Sequence, residues 1–184
     1  VGLALALAGA RVEAFEWGTG VTAGASFPLA QSDNASGAQF GVRVPVNIVP
    51  LLTLEPFLTS TSLGGVEATF AGQTYNRRGF DVLGWGARVA LGGVGLGPRF
   101  RLYPFVGVGS YHWSREGSPG STDVGYTIGA GWARRLPWRV VVDVRTDFTW
   151  IHEGATARRF MGIAAGVTVP LRYEAAPAGD REGA

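Results

Sequence analysis

Eight stretches of the chain alternate with a period of two, an apolar residue on one side and Gly, Thr, Ser or a charge on the other. Successive residues of a strand point to opposite faces, so the pattern predicts β-strands with one apolar and one polar face. They fall near 15–29, 38–48, 51–62, 79–91, 101–113, 123–135, 138–151 and 159–173. In the clearest, Trp138, Val140, Val142, Val144, Thr146, Phe148 and Trp150 share one face. Arg139, Asp143, Arg145, Asp147 and Thr149 take the other, together with Val141 and Ile151. No charge interrupts the apolar face of the first or the last stretch.

Most of these stretches exceed the roughly five or six residues of an ordinary globular strand and match the tilted strands of about 9 to 11 residues that cross a bilayer. Polar gaps at 33–37, 62–78, 115–122 and 153–158 alternate with tight ones at 49–50 and 136–137. Antiparallel membrane barrels show this rhythm, with long loops outside and short turns in the periplasm, although the turn at 92–98 is longer than the rule requires. A soluble barrel would need its apolar face inside, and a polar face so rich in Gly, Thr and Ser cannot supply a core. The expectation is an all-β, eight-stranded antiparallel up-and-down transmembrane β-barrel over 15–173. Phe15, Trp17, Trp132, Trp138 and Tyr173 at one end, and Phe27, Phe40, Phe148 and Trp150 at the other, form two interface girdles. Arg134, the one arginine on an apolar face, falls at a strand end from which it can snorkel. Pro45, Pro56, Pro104 and Pro170 run against the pattern. Each removes a ladder donor, and a closed barrel has no edge strand to hide it.

The remaining segments are short. Residues 1–14 open on an apolar run, 1–10, far shorter than the roughly 20 residues of a spanning helix, and read as the remnant of an export signal. Residues 174–184, rich in Ala, Gly and charge, read as a disordered periplasmic tail. A net charge of +2 with 16% charged residues implies no nucleic-acid partner. Cysteine is absent, which excludes thiol chemistry and Cys-zinc sites. No histidine pair or acidic loop has metal-ligand spacing, and the glycine run 92–97 lacks the helix a phosphate loop requires, so neither metal nor cofactor is expected.

Parity turns Glu16, Arg43, Glu55, Arg88, Asp143, Arg145, Asp147 and Arg172 into the lumen. Charges buried there must pair or be hydrated. A turn at 49–50 sets Arg43 nearly opposite Glu55 with Arg88 at a similar depth, and Asp143, Arg145 and Asp147 face them from the far wall. Closing the last strand onto the first brings Arg172 beside Glu16. The expected result is a salt-bridged plug, because open aqueous channels belong to barrels of about 16 to 18 strands.

In segments 103–111 (YPFVGVGSY) and 142–148 (VDVRTDF), and in the closing strand, the chain resembles the small eight-stranded outer-membrane barrels of the OmpA/OmpX type. The resemblance spans nearly all of 15–173. It implies a bacterial outer-membrane protein, monomeric, surrounded by outer-membrane lipid and lipopolysaccharide and folded by the barrel-assembly machinery. Gly166, Val169, Leu171 and Tyr173 then look like the group's assembly signal. The implied role is non-enzymatic, structural or adhesive, through extracellular loops whose ligand the sequence does not name. The longest loop is 62–78, with Phe70, Tyr75, Arg77 and Arg78.

Two other readings stand beside this one. Exchange among the lumen ion pairs would make a narrow gated pore. His112-Trp113-Ser114 resembles the His-x-Ser of the outer-membrane lipid A deacylases, with Ser114 as nucleophile, His112 as base and Glu116 or Asp123 as the orienting carboxylate.

Overall fold

The computed structural model describes residues 16–29, 35–49, 52–77, 79–91, 100–115, 117–136, 140–153 and 156–172. The expected export-signal remnant 1–14, the tail 174–184, Tyr173, Glu116, Arg78, Phe15 and Trp138 lie outside them. Its strands are β1 (Glu16–Pro28), β2 (Ala35–Arg43), β3 (Val46–Val49), β4 (Leu52–Gly64), β5 (Val66–Phe70) and β6 (Gln73–Arg77). They continue with β7 (Phe80–Leu91), β8 (Phe100–Arg115), β9 (Ser118–Arg135), β10 (Val141–Glu153) and β11 (Thr156–Arg172).

Strands β2 and β3 are one stave broken at Val44 and Pro45, so β1, β2/β3, β4, β7, β8, β9, β10 and β11 make eight staves, each antiparallel to its neighbours. The ring closes where β11 pairs with β1, in register from Glu16↔Arg172 to Pro28↔Phe160. Closure removes the unpaired edges that would otherwise be exposed to lipid.

The wall is inside out relative to a soluble protein. Leu102 is 71% exposed and Phe40 and Ile128 are each 59% exposed, whereas Arg43, Glu55 and Asp143 are 2% exposed. Large apolar side chains cover the outside of every stave. Such a contiguous belt is stable against lipid and costly against water.

Three expectations need correction. First, the polar gaps are mostly not loops. β8 reaches Arg115 and β9 starts at Ser118, with Gly117 in the intervening turn at φ 81°. β10 reaches Glu153 and β11 starts at Thr156. The long gap 62–78 holds the end of β4 and a separate hairpin, β5–β6, turned by Ala71 and Gly72 at φ 51° and 78°. Ladder hydrogen bonds use only the backbone, so staves continue into water after the apolar alternation stops.

Second, the prolines do find edges of a kind. The β7–β8 ladder ends at Ala90↔Phe105, one residue short of Pro104. The β10–β11 ladder ends at Val141↔Thr168, two residues short of Pro170. Pro56 faces the β2/β3 break, where Val44 N–H donates to its carbonyl at 3.0 Å, and the carbonyl of Pro45 accepts from Gly18 N–H at 2.9 Å. Staggered staves of unequal length leave each strand end with one unpaired side, and a proline there forfeits no bond on that side.

Third, the inward face is not uniformly polar. Phe57, Leu63, Phe80, Val82, Tyr111, Ile151 and Phe160 pack together inside the end of the barrel nearest the β5–β6 hairpin. Ala90, Tyr103, Phe105, Ala133 and Val141 pack inside the opposite end. These residues share parity with the lumen charges. Alternation shows that they point inward, but not that they gather into two lids.

Candidate functional site: the charged lumen

Between the two apolar clusters lies a layer of three arginines and three carboxylates, whose formal charges cancel. Period-two spacing puts Asp143, Arg145 and Asp147 on the inner face of β10, and register sets Glu55 of β4 directly beside Arg88 of β7. Arg145 Nη1 donates to Glu55 Oε1 across the lumen at 2.8 Å, and its Nε donates to Asp143 Oδ2 at 3.1 Å. Arg43 Nη1 donates to Glu55 Oε2 and to Asp143 Oδ2, each at 3.3 Å, while its Nη2 pairs with Asp143 Oδ1. Arg88 closes the set, with Nη1 at 3.5 Å from Glu55 Oε1 and Nη2 at 3.6 Å from Asp147 Oδ2.

Neighbours absent from the sequence-based set add further contacts. Tyr103 OH donates to Asp143 Oδ2 at 3.1 Å, and Arg43 Nη2 donates to Thr168 Oγ1 at 2.9 Å. The Arg88 guanidinium lies over the Phe57 ring at 4.1 Å and near Phe105 at 5.5 Å. The only signal that could have flagged Tyr103, Thr168 and Phe57 is their shared inward parity, which carries no depth. Glycine makes the room. A Cβ on Gly162 would meet Asp147 and Gln39, one on Gly166 would meet Asp143 and Arg43, and one on Gly131 would meet the Tyr103 ring.

At the hairpin end the mouth is capped. Arg158 stacks over Trp113 at 4.0 Å and lies 5.2 Å from Phe80, and Trp113 Nε1 donates to Asp123 Oδ2 at 3.0 Å. Charge, aromatic lids and cap together leave a packed core, which is what a narrow eight-stranded barrel can hold.

Six of the eight lumen charges named from the sequence thus contact one another. Glu16 and Arg172 are register partners at the β1–β11 seam, and their side chains lie outside those described. His112 and Ser114 share the outward face of β8, as parity requires, but His112 Nδ1 bonds Thr122 Oγ1 at 3.0 Å. Asp123 is turned inward onto Trp113, and the carboxylate in register with Ser114 is Asp81 of β7. Of the expected assembly signal, Gly166 faces inward and Val169 and Leu171 face lipid.

The architecture defines a class, the transmembrane β-barrel of outer-membrane type. No protein-family model matches the sequence, and no curated protein matches it either. Solved structures do. The chain is similar to Neisserial surface protein A with a TM-score of 0.60 and 17% identity, over 84% of this chain and 96% of that one. It is similar to Ail, the attachment invasion locus protein of Yersinia pestis, in its complex with the heparin analogue sucrose octasulfate. There the TM-score is 0.53 and the identity 11%, over 86% of this chain and 100% of that one. In fold the chain is a small, closed eight-stranded barrel like these two outer-membrane proteins, with a buried salt-bridge network inside.

Proposed function

We propose that this barrel is a non-enzymatic outer-membrane scaffold whose lumen is sealed and whose recognition surface is the β5–β6 hairpin. The observation that carries the reading is the division of labour between the two. Among the described residues, the lumen holds a neutral ion layer between two apolar lids. The hairpin forms its own two-stranded sheet, with Glu67, Thr69, Gln73, Thr74, Tyr75 and Asn76 all exposed. Loops and hairpins on a rigid scaffold commonly carry recognition, and the fold is shared with a protein named for attachment and invasion. Assembly by the barrel-assembly machinery, with Gly166, Val169 and Leu171 in the closing strand, belongs to the same reading.

The deacylase reading gains no support from the geometry, because His112 bonds Thr122 rather than Ser114. The experiment compares bacteria displaying the wild type with bacteria displaying a variant in which residues 65–79 are replaced by a two-residue turn. Adherence to host-cell surfaces falls to the empty-vector background in the variant, while the heat-dependent gel shift of a closed barrel persists. Undiminished adherence by a folded variant overturns the proposal.

A further inference from the structure

One row of outward side chains departs from the even apolar belt. Trp132, Val144, Ala165, Ala23 and Phe40 are successive register partners across β9, β10, β11, β1 and β2. The ring side chains of Trp132 and Phe40 stand at the two ends, and the methyl groups of Ala165 and Ala23 form a low floor between them. The result is an apolar groove of about 480 Å3 on the lipid-facing wall. It spans four strand-to-strand steps of roughly 4.8 Å, or about 19 Å, of the order of an extended acyl chain.

The groove has a cationic mouth. Arg134 lies two residues beyond Trp132 on the same outward face of β9, is exposed, and is the register partner of Val142, which lines the groove. Among the described residues, no acidic side chain faces outward from the halves of β8, β9, β10, β11 or β1 that lie away from the β5–β6 hairpin. Arg134 sits where β9 ends, opposite the β5–β6 hairpin. The longest extension of such barrels lies on the extracellular side, so the end opposite the hairpin is periplasmic, where the leaflet is phospholipid.

We propose that this groove is a binding site for one anionic glycerophospholipid. An acyl chain lies between Trp132 and Phe40, and the headgroup phosphate accepts hydrogen bonds from the Arg134 guanidinium. A level apolar wall treats all lipids alike. Bulky walls around a floor of small side chains fix where a chain lies, and one cation at the mouth selects the sign of the head. Arginine is suited to this because its planar donor array matches phosphate oxygens.

Native mass spectrometry of the full chain, released from mild detergent with dioleoyl phosphatidylglycerol, dioleoyl phosphatidylcholine or lipid A, tests the site. The wild type retains phosphatidylglycerol about fivefold over phosphatidylcholine, the ratio expected of one arginine near an anionic surface. Arg134→Gln brings the ratio to about one, Arg134→Lys keeps it above one, and Ala165→Phe, which fills the floor, lowers retention of both lipids. Equal retention by the wild type, an unchanged ratio in Arg134→Gln, undiminished retention in Ala165→Phe, or preference for lipid A over phosphatidylglycerol each overturns the proposal. Should Arg134→Gln fail to fold, salt supplies the second reading on the wild type. A headgroup ion pair at the interface is screened, so the preference falls as ionic strength rises. A preference indifferent to salt sinks the site.

Discussion

The two faces of β10 are built from neighbouring residues of one strand and obey different rules. Outward, Val144, Thr146 and Phe148 meet lipid chains that conform to whatever they touch, so many apolar side chains serve equally well. Inward, Asp143, Arg145 and Asp147 each meet fixed partners on β2, β4 or β7, and a change at one position strands a charge at another. The contrast teaches that in a narrow barrel the solvent-like face is the tolerant one, and the packed, specific core is polar.

The sharpest way to break that contrast is Arg145→Ala. It leaves Glu55 and Asp143 buried with fewer cations than they need, and is expected to cost about 3–5 kcal/mol in urea unfolding of the barrel in lipid, followed by tryptophan fluorescence. Single-channel recording of the same variant, if folded, stays at the level of bare bilayer, since the apolar lids on both sides of the ion layer remain. A rise in conductance would instead favour the gated-pore reading. Placing the charge on the other face comes next. Val144→Arg, in the middle of the outward run of β10, should destabilise by about 2–4 kcal/mol in the same assay, whereas Val144→Leu should leave the unfolding midpoint in place. The smallest effect concerns shape alone. The Tyr111 ring lies between Gly84 and Gly125, and a Cβ on either glycine would sit within 2.7 Å of ring carbons. Gly125→Val is expected to lose about 1–3 kcal/mol through overpacking, with the Tyr111 hydroxyl pulled from Thr127, its partner at 2.9 Å.

How far the molecule was legible differs from element to element. The parity of β1, β10 and β11 could be read directly, because alternation reports face and each of those strands has a clean apolar side. Arg43, Glu55, Arg88, Asp143, Arg145 and Asp147 were legible as inward charges for the same reason. The hairpin β5–β6 was not legible, because each of its strands is only five residues long and β6 carries polar residues on both faces, so the segment reads as a polar loop. The lids escaped for a different reason. Phe57 and Phe105 announce an apolar side chain at an inward position, but their depth follows from the stagger of the staves, to which period-two pattern is blind. The groove beside Arg134 was hidden likewise, since Trp132, Ala165 and Phe40 lie far apart in the chain and become neighbours only through four successive registers.

By itself, then, the sequence determined which way each side chain points and that charge belongs inside. That information is local, carried by the two-residue repeat of a strand. Tertiary structure alone decided which charge meets which, where the staves end, how four prolines fit a closed sheet and where an aromatic meets a glycine. All of these depend on closure and stagger, which set the relative heights of residues a hundred positions apart and more, as in the Arg43–Asp143 pair.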